Sequence, residues 1–211
     1  SKESVALDLK SEAGLEALRR LVARADVLVQ NLAPGAAQRL GLDPAGLLAR
    51  HPRLIVCEIS GYGQDGPDRA RKAYDLLIQG ESGFLSVTGT PETPAKAGCS
   101  IADIAAGMHA YSAILAALIE RQRSGQGRHI DVSMLEAMAE WMSHPLYYAF
   151  DGASPPPRVG AAHATIYPYG PFRTADGEVL LGIQTAREWG AFCADVLGEP
   201  SLATDERFSS S

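Results

Sequence analysis

The sequence predicts an α/β fold, a Rossmann-like parallel sheet with helical crossovers, followed by the start of a smaller α+β domain. Three observations carry this. Over the first sixty residues, short β-rich apolar runs alternate with segments of helical periodicity, the order that builds β-α-β crossovers. A Pro-rich connector, GASPPPR (152–158), then interrupts the pattern, and beyond it Asp176–Gly177 lies between two apolar runs, the signature of a hairpin. The chain has 211 residues, 46% hydrophobic and 21% charged, which suffices for one large domain or two small ones with a proper core. The expected organisation is a Rossmann-like portion over 1–150, a linker over 151–165, and a small-domain portion over 166–211 that is incomplete at its end.

Element by element, SVALDL (4–9) reads as a short strand, and SEAGLEALRRLVARA as a helix with Leu15, Leu18, Leu21 and Val22 at helical spacing. VLVQN (27–31) is a buried-strand run. Pro34 is placed as the first residue of a helix, and Asp43 as the cap of the next, with Pro44 behind it. RLIVCEIS (53–60) is the third strand. The glycine-rich, charged stretch 61–73 is a loop that hands over to a helix in YDLLIQGESGFLSVTG, and TPETPAKAG is a second loop. The longest helix is expected from Ile101 to Arg123, with Arg121 and Arg123 in its last turn and Gly125 as its C-terminal cap. HIDVSM (129–134) leads as a strand into a helix carrying Leu135, Met138, Trp141 and Met142. A chain that enters directly at a strand from Ser1 has the character of a fragment.

Composition narrows the function classes. A net charge of −6 with no basic run longer than Arg19–Arg20 leaves no electrostatic footprint for nucleic acid or an anionic membrane. Cys57, Cys99 and Cys193 are odd in number, far apart and set in apolar surroundings, which predicts buried reduced thiols and no structural disulfide. No charged-then-apolar leader opens the chain, and Asp103 and His109 interrupt its most apolar helix. The expected location is the cytoplasm.

Most local motifs lead nowhere. Gly61, Gly63 and Gly66 spell a literal G-x-G-x-x-G after a strand, but Gly66 is followed by Pro67, Asp68 and more charge. A dinucleotide fingerprint needs its last glycine to open an apolar-faced helix. No His or Cys pair has metal-ligand spacing on a helix face, so no metal is expected. Ser60 lacks the upstream glycine of a nucleophile elbow. His51 and His129 read as surface residues, and His144 as a core histidine.

Asp103 stands apart, a carboxylate in SIADIAAGMHA. With Ser100 as cap, an acid three residues on would complete a capping box. On its face of the helix lie Ala106, Gly107, Ala110, Ala113 and Ala117, small residues that admit close approach by another helix or by a ligand. The helix dipole favours the ionised form there, and an ionised carboxylate beside a small-residue wall is a usable nucleophile.

Five blocks in order, SVALDLKSEAGLEALRRLVARADVLVQNLAPGAAQRLGL, IVCEISGYGQDGP, KAYDLLIQGESG, SIADIAAGMHA and GQGRHIDVSMLEAM, resemble the family III CoA-transferases, the group that also includes the α-methylacyl-CoA racemases. The resemblance covers nearly the whole chain and about half of the usual polypeptide. It implies that Asp103 attacks an acyl-CoA thioester and that Asn31, Leu32 and Arg39 line the CoA site. It also implies that Lys72 lies near the CoA phosphates and that Asp75 is an acidic active-site residue. Tyr74 stands where racemising members place a histidine, as an α-proton exchange needs, so it favours CoA transfer. The family's glycine run over the nucleophile is replaced by RVGAAHATIYPYG. Arg158 and His163 in that loop are candidates for anchoring a second carboxylate on the acceptor, or are simply loop residues. The implied partners are an acyl-CoA and a small carboxylic acid, with no permanently bound cofactor, and an interlocked homodimer as the assembly. The other readings are an acyl-CoA racemase and a catalytically silent CoA-binding fragment.

Overall fold

The computed structural model describes residues 2–208, and the chain falls into two compact units. One comprises the chain up to Gly83 with Ala97–Ser143, the other Phe84–Lys96 with the chain from His144 onward. In chain order the elements are α1 (Glu12–Val22), β1 (Val27–Gln30), α2 (Ala36–Arg39), α3 (Pro44–Arg50), β2 (Ile55–Ser60) and α4 (Asp75–Glu81). There follow α5 (Phe84–Val87), α6 (Ile101–Ser124), β3 (His129–Ser133), α7 (Met134–Trp141) and α8 (Ser143–Tyr148). Then come β4 (Tyr169–Arg173), β5 (Glu178–Gly182) and α9 (Ala186–Ala191).

The first unit is built on a parallel sheet of order β1-β2-β3, with Val27 opposite Ile55 and Val56 opposite His129. The central strand explains its own composition: Ile55, Val56 and Cys57 have no exposed surface, as a strand covered on both faces requires. Val22, Leu42, Leu47, Leu54 and Val56 pack into one core cluster with Leu18 and Leu28 at its margin, whereas Leu21 is 51% exposed and lies outside it. Local caps start α1 and α3. The Ser11 hydroxyl accepts the Gly14 N–H at 3.1 Å, and the Asp43 carboxylate accepts that of Gly46 with Pro44 in the first turn.

The long helix α6 packs against β2, β3, α4 and α7 through small residues. Ala102, Ala105, Ala106, Ala110 and Ala117 are buried, while Ile104, Met108, Tyr111, Leu115 and Ile119 form an exposed stripe. By length and composition alone this helix could cross a membrane; here its alanines face the sheet and its neighbouring helices. The close approach that small residues permit is thus used by protein. Its C-terminus is fixed twice. Gly125 adopts φ 73°, the left-handed cap that glycine takes without strain. The Arg121 guanidinium donates to the carbonyls of Asp26 and Arg53 and pairs with the Asp26 carboxylate at 2.9 Å.

Several expectations are corrected. Residues 4–9 form no strand: Val5 is 64% exposed, and no neighbouring edge supplies ladder partners among the described residues. Pro34 precedes its helix, which starts at Ala36 behind Gly35 in a left-handed conformation. The helix expected through YDLLIQGESGFLSVTG is two short ones, α4 and α5, parted at Gly83 with φ 83°. Cys57 and Cys193 are buried but Cys99 is exposed, and all three are free. His144 is exposed, edge-on to Tyr148 at 5.1 Å. His129 is at the surface as expected, and its Nε2 also meets the buried Glu58 carboxylate at 2.9 Å.

The second unit contains the expected hairpin, β4 and β5 antiparallel with Arg173 opposite Glu178, closed by the Thr174 N–H donating to the Gly177 carbonyl at 2.9 Å. Near its start Arg158 donates to the carbonyls of Thr90 and Pro91, both at 2.9 Å.

One glycine tests the first unit directly. The Gly127 N–H donates to the Pro52 carbonyl at 2.7 Å, and a Cβ at Gly127 would lie 1.8 Å from the Leu54 carbonyl oxygen. Backbone must shift to admit it, so Gly127→Ala is expected to destabilise the protein by about 1–3 kcal/mol, read as a lowered denaturant midpoint at unchanged slope.

Candidate active site

Asp103 lies in the first turn of α6, but the capping box does not form. Ser100 has φ −75° and ψ 72° and makes no side-chain cap. Its place is taken by a residue distant in sequence. Asp75, the first residue of α4, accepts the Ala102 N–H on Oδ1 at 2.8 Å and the Gln79 side-chain amide on Oδ2 at 2.7 Å. Gln79, with no exposed surface, completes the arrangement by accepting the Ala97 N–H on Oε1 at 2.9 Å. Asp75 and Gln79 stand four residues apart and so on one helix face, holding both ends of the segment that leads into Asp103.

With the capping duty performed by Asp75, the Asp103 carboxylate has no hydrogen-bond donor among the described residues. Its side chain reaches solvent, and beside it Gly107 has open space where a Cβ would stand. Partial burial raises its pKa from the ordinary aspartate value, and the negative charge of Asp75 adds to the rise. The sequence suggested the opposite sign, from the positive end of the helix. A carboxylate already sits on that end, which offsets the dipole.

Of the other residues singled out in the first unit, Asn31 and Leu32 lie on the loop after β1, Arg39 ends α2, and Lys72 and Tyr74 lie on the loop between β2 and α4; the carboxyl ends of parallel strands are where such sheets collect ligands. Asn31, Leu32 and Arg39 are exposed, as are Lys72 and Tyr74, the latter at 68%. The β1 loop is held by a relay absent from the sequence reading. The Leu32 N–H donates to Gln30 Oε1 at 2.7 Å, and Gln30 Nε2 donates to Glu58 at 2.6 Å. Glu58 is 2% exposed and holds His129 on its other oxygen. A shallow depression there is lined by Leu32, Gly35, Glu58, Ser60 and Arg69 among others. Gly35 has φ 75°, and its missing side chain leaves room for the Arg39 guanidinium, 3.1 Å from where a Cβ would be.

Gly61, Gly63 and Gly66 form no fingerprint, for no helix opens before Asp75. Gly61 is required instead by packing, since its Cβ would stand 2.2 Å from that of Ala73. A larger cleft of about 290 Å³ between α1 and α3, lined by Arg19, Val22, Leu42, Leu47 and His51 among others, contains none of the candidate residues. Arg158 and His163 belong to the second unit and are engaged locally. Arg158 holds the 90–91 turn, and His163 Nδ1 accepts the N–H groups of Thr165 and Ile166 at 3.2 and 3.1 Å.

Two outcomes follow from the Asp103–Asp75 pair. The folded chain holds the Asp103 proton more tightly than the unfolded chain does, so ionising Asp103 costs stability as pH rises through its folded pKa. Asp103→Asn is therefore expected to melt higher than the unaltered protein at pH 7, with the difference gone by about pH 3.5; thermal melts across that range check it. Asp75→Ala removes the cap on Ala102, and a loss of about 0.5–2 kcal/mol is expected in chemical denaturation. The same change should bring the Asp103 carboxyl pKa down towards its ordinary value in an NMR titration.

The chain is 40% identical over 209 residues to a succinate–glutarate CoA-transferase of Agrobacterium fabrum, covering 99% of this chain and 52% of that protein. It is 37% identical to an acetyl-CoA:oxalate CoA-transferase of Acetobacter aceti, covering 98% of this chain and 54% of the relative. The crystal structure of a CaiB/BaiF family protein from Brucella suis superposes with a TM-score of 0.84 at 38% identity, over 99% of this chain and 55% of that one. The chain thus spans about half the length of the curated relatives it matches. The model of CoA-transferase family III matches residues 1–211, and the chain belongs to that family.

Proposed function

We propose that this protein moves CoA from an acyl-CoA donor to a small carboxylic acid, with Asp103 as the covalent nucleophile. The observation that carries the reading is an unpartnered carboxylate in the first turn of α6, its capping role performed by Asp75, facing open space beside Gly107. In the proposed sequence an Asp103 oxygen attacks the thioester carbonyl and expels CoA thiolate, giving an aspartyl–acyl anhydride. The thiolate attacks the aspartyl carbonyl of that anhydride, releases the donor acid as a carboxylate and leaves CoA on Asp103 as a thioester. The acceptor carboxylate then attacks this thioester and expels CoA thiolate, giving a second anhydride, and the thiolate attacks the acceptor's acyl carbonyl, forming the product thioester and releasing the Asp103 carboxylate. Each intermediate is itself activated, so the sequence balances without ATP.

A raised pKa suits this work, because a more basic carboxylate is a better nucleophile. The Ile101 and Ala102 amides are engaged by Cys99 and Asp75, and the proposed oxyanion donor at the helix start is the Asp103 amide. CoA is assigned to the exposed residues Asn31, Leu32, Arg39 and Lys72, with Tyr74 beside the reacting end. The relatives named for succinate, glutarate and oxalate support small dicarboxylic acids as substrates. The proposed site of action is the cytoplasm, and the proposed assembly a homodimer.

The test uses the protein expressed from its complete reading frame. Incubation with donor acyl-CoA followed by hydroxylamine or borohydride is expected to modify the peptide containing Asp103, with no solvent deuterium entering the α-carbon. Asp103→Ala and Asp103→Asn should both lose turnover and adduct. Retained turnover in either variant removes Asp103 as nucleophile. Deuterium exchange without an adduct favours the racemase, and CoA binding with neither signal favours a silent CoA-binding module.

A further inference from the structure

We propose that Gln79 is a positioning residue for the Asp103 nucleophile, acting through Asp75 and the segment from Ala97 to Ala102; the inference rests on Asp103 being the nucleophile. Gln79 has no exposed surface. A buried amide is retained at a cost unless both its ends are bonded, and here both are bonded to groups that bear on Asp103. The Nε2 group donates to Asp75 Oδ2 at 2.7 Å, and Oε1 accepts the Ala97 N–H at 2.9 Å. Asp75 Oδ1 receives the Ala102 N–H at 2.8 Å. One buried side chain therefore fixes where the lead-in begins and also orients the carboxylate that holds where it ends.

Position and basicity are linked through the same contact. The charge of Asp75 contributes to the raised pKa of Asp103, so the direction in which Gln79 turns Asp75 bears on the nucleophile as well as on the helix start. Donation to Asp75 is the decisive half of the arrangement. Holding Ala97 only tethers the loop, whereas donating to Oδ2 stops the Asp75 carboxylate from turning about its last bond. In a covalent step that requires near-attack geometry, a small displacement of the attacking oxygen is felt mainly in the rate.

Two variants separate these roles in the protein expressed from its complete reading frame. Gln79→Met keeps the volume and removes both bonds. Gln79→Glu keeps an acceptor for Ala97 and sets a carboxylate against Asp75 in place of the donor. Single-turnover formation of the Asp103 adduct is measured, with rates counted per titrated active site so that loss of folded protein does not enter. Both variants are expected to form the adduct about tenfold more slowly or worse, with the KM for acyl-CoA within about twofold, because the proposed CoA loops are untouched. Gln79→Glu alone carries the test if Gln79→Met fails to fold. Per-site rates equal to those of the unaltered protein overturn the proposal, as does a full rate in Gln79→Glu with a slow Gln79→Met, which would assign Gln79 to tethering Ala97. Asp103→Asn keeps the two failures distinct. If it still forms the adduct, the nucleophile assignment falls; if it does not, and the Gln79 variants react at the full rate, only the present inference falls.

Discussion

A single hydrogen bond organises the chemistry, the one from the Ala102 N–H to Asp75. Every helix begins with amides that need acceptors, and the ordinary solution spends a neighbouring side chain on them. Here the acceptor comes from α4, 27 residues away in sequence. Three consequences follow from this substitution. α4 and α6 are locked at their starts, Asp103 is released from the role its position suggests, and a second negative charge is stationed where it raises the basicity of the first. A local cap would have given the helix its start and used up the carboxylate.

The relay behind the β1 loop repeats this logic on a smaller scale. Glu58 lies in the middle of the sheet with 2% of its surface exposed, a position that charge tolerates only when fully partnered. His129 and Gln30 supply the partners, and Gln30 passes the constraint on to the Leu32 amide. In both places a buried polar residue holds backbone on which an exposed candidate residue is mounted. The candidate side chains themselves are left open, as ligand-facing groups must be, and their order comes from the layer beneath.

What the sequence disclosed and what it withheld divide along the same line. Period and punctuation were enough for the strand at 55–60, the caps at Asp43 and Gly125 and the hairpin at Asp176–Gly177, because each of these is decided by residues close together in the chain. Asp103 stood out because a charge among alanines is conspicuous. The role of Asp75 as a cap was not legible, since it depends on which helix start α4 meets, and the local pattern of Ser100 with Asp103 gave a plausible false solution. Gln79 carried no local motif, and its spacing of four from Asp75 was the available signal. The run at 4–9 failed for a related reason: β-propensity announces a willing strand and says nothing about an edge for it to join.

The alanines of α6 have a mechanical consequence. A helix seated on a sheet through large interdigitating side chains cannot turn about its axis without lifting its knobs from their holes, but a face made of methyl groups is smooth. Each residue advances the azimuth by about 100°, so a roll of this 24-residue helix would turn Asp103 away from its opening. The roll is prevented at the two ends. Asp75 grips the first turn and Arg121 pins the last to Asp26 and Arg53, leaving the rod keyed at both bearings. The direction in which the carboxylate points is thus set partly at the far end of the helix, about 30 Å from Asp103 at 1.5 Å per residue.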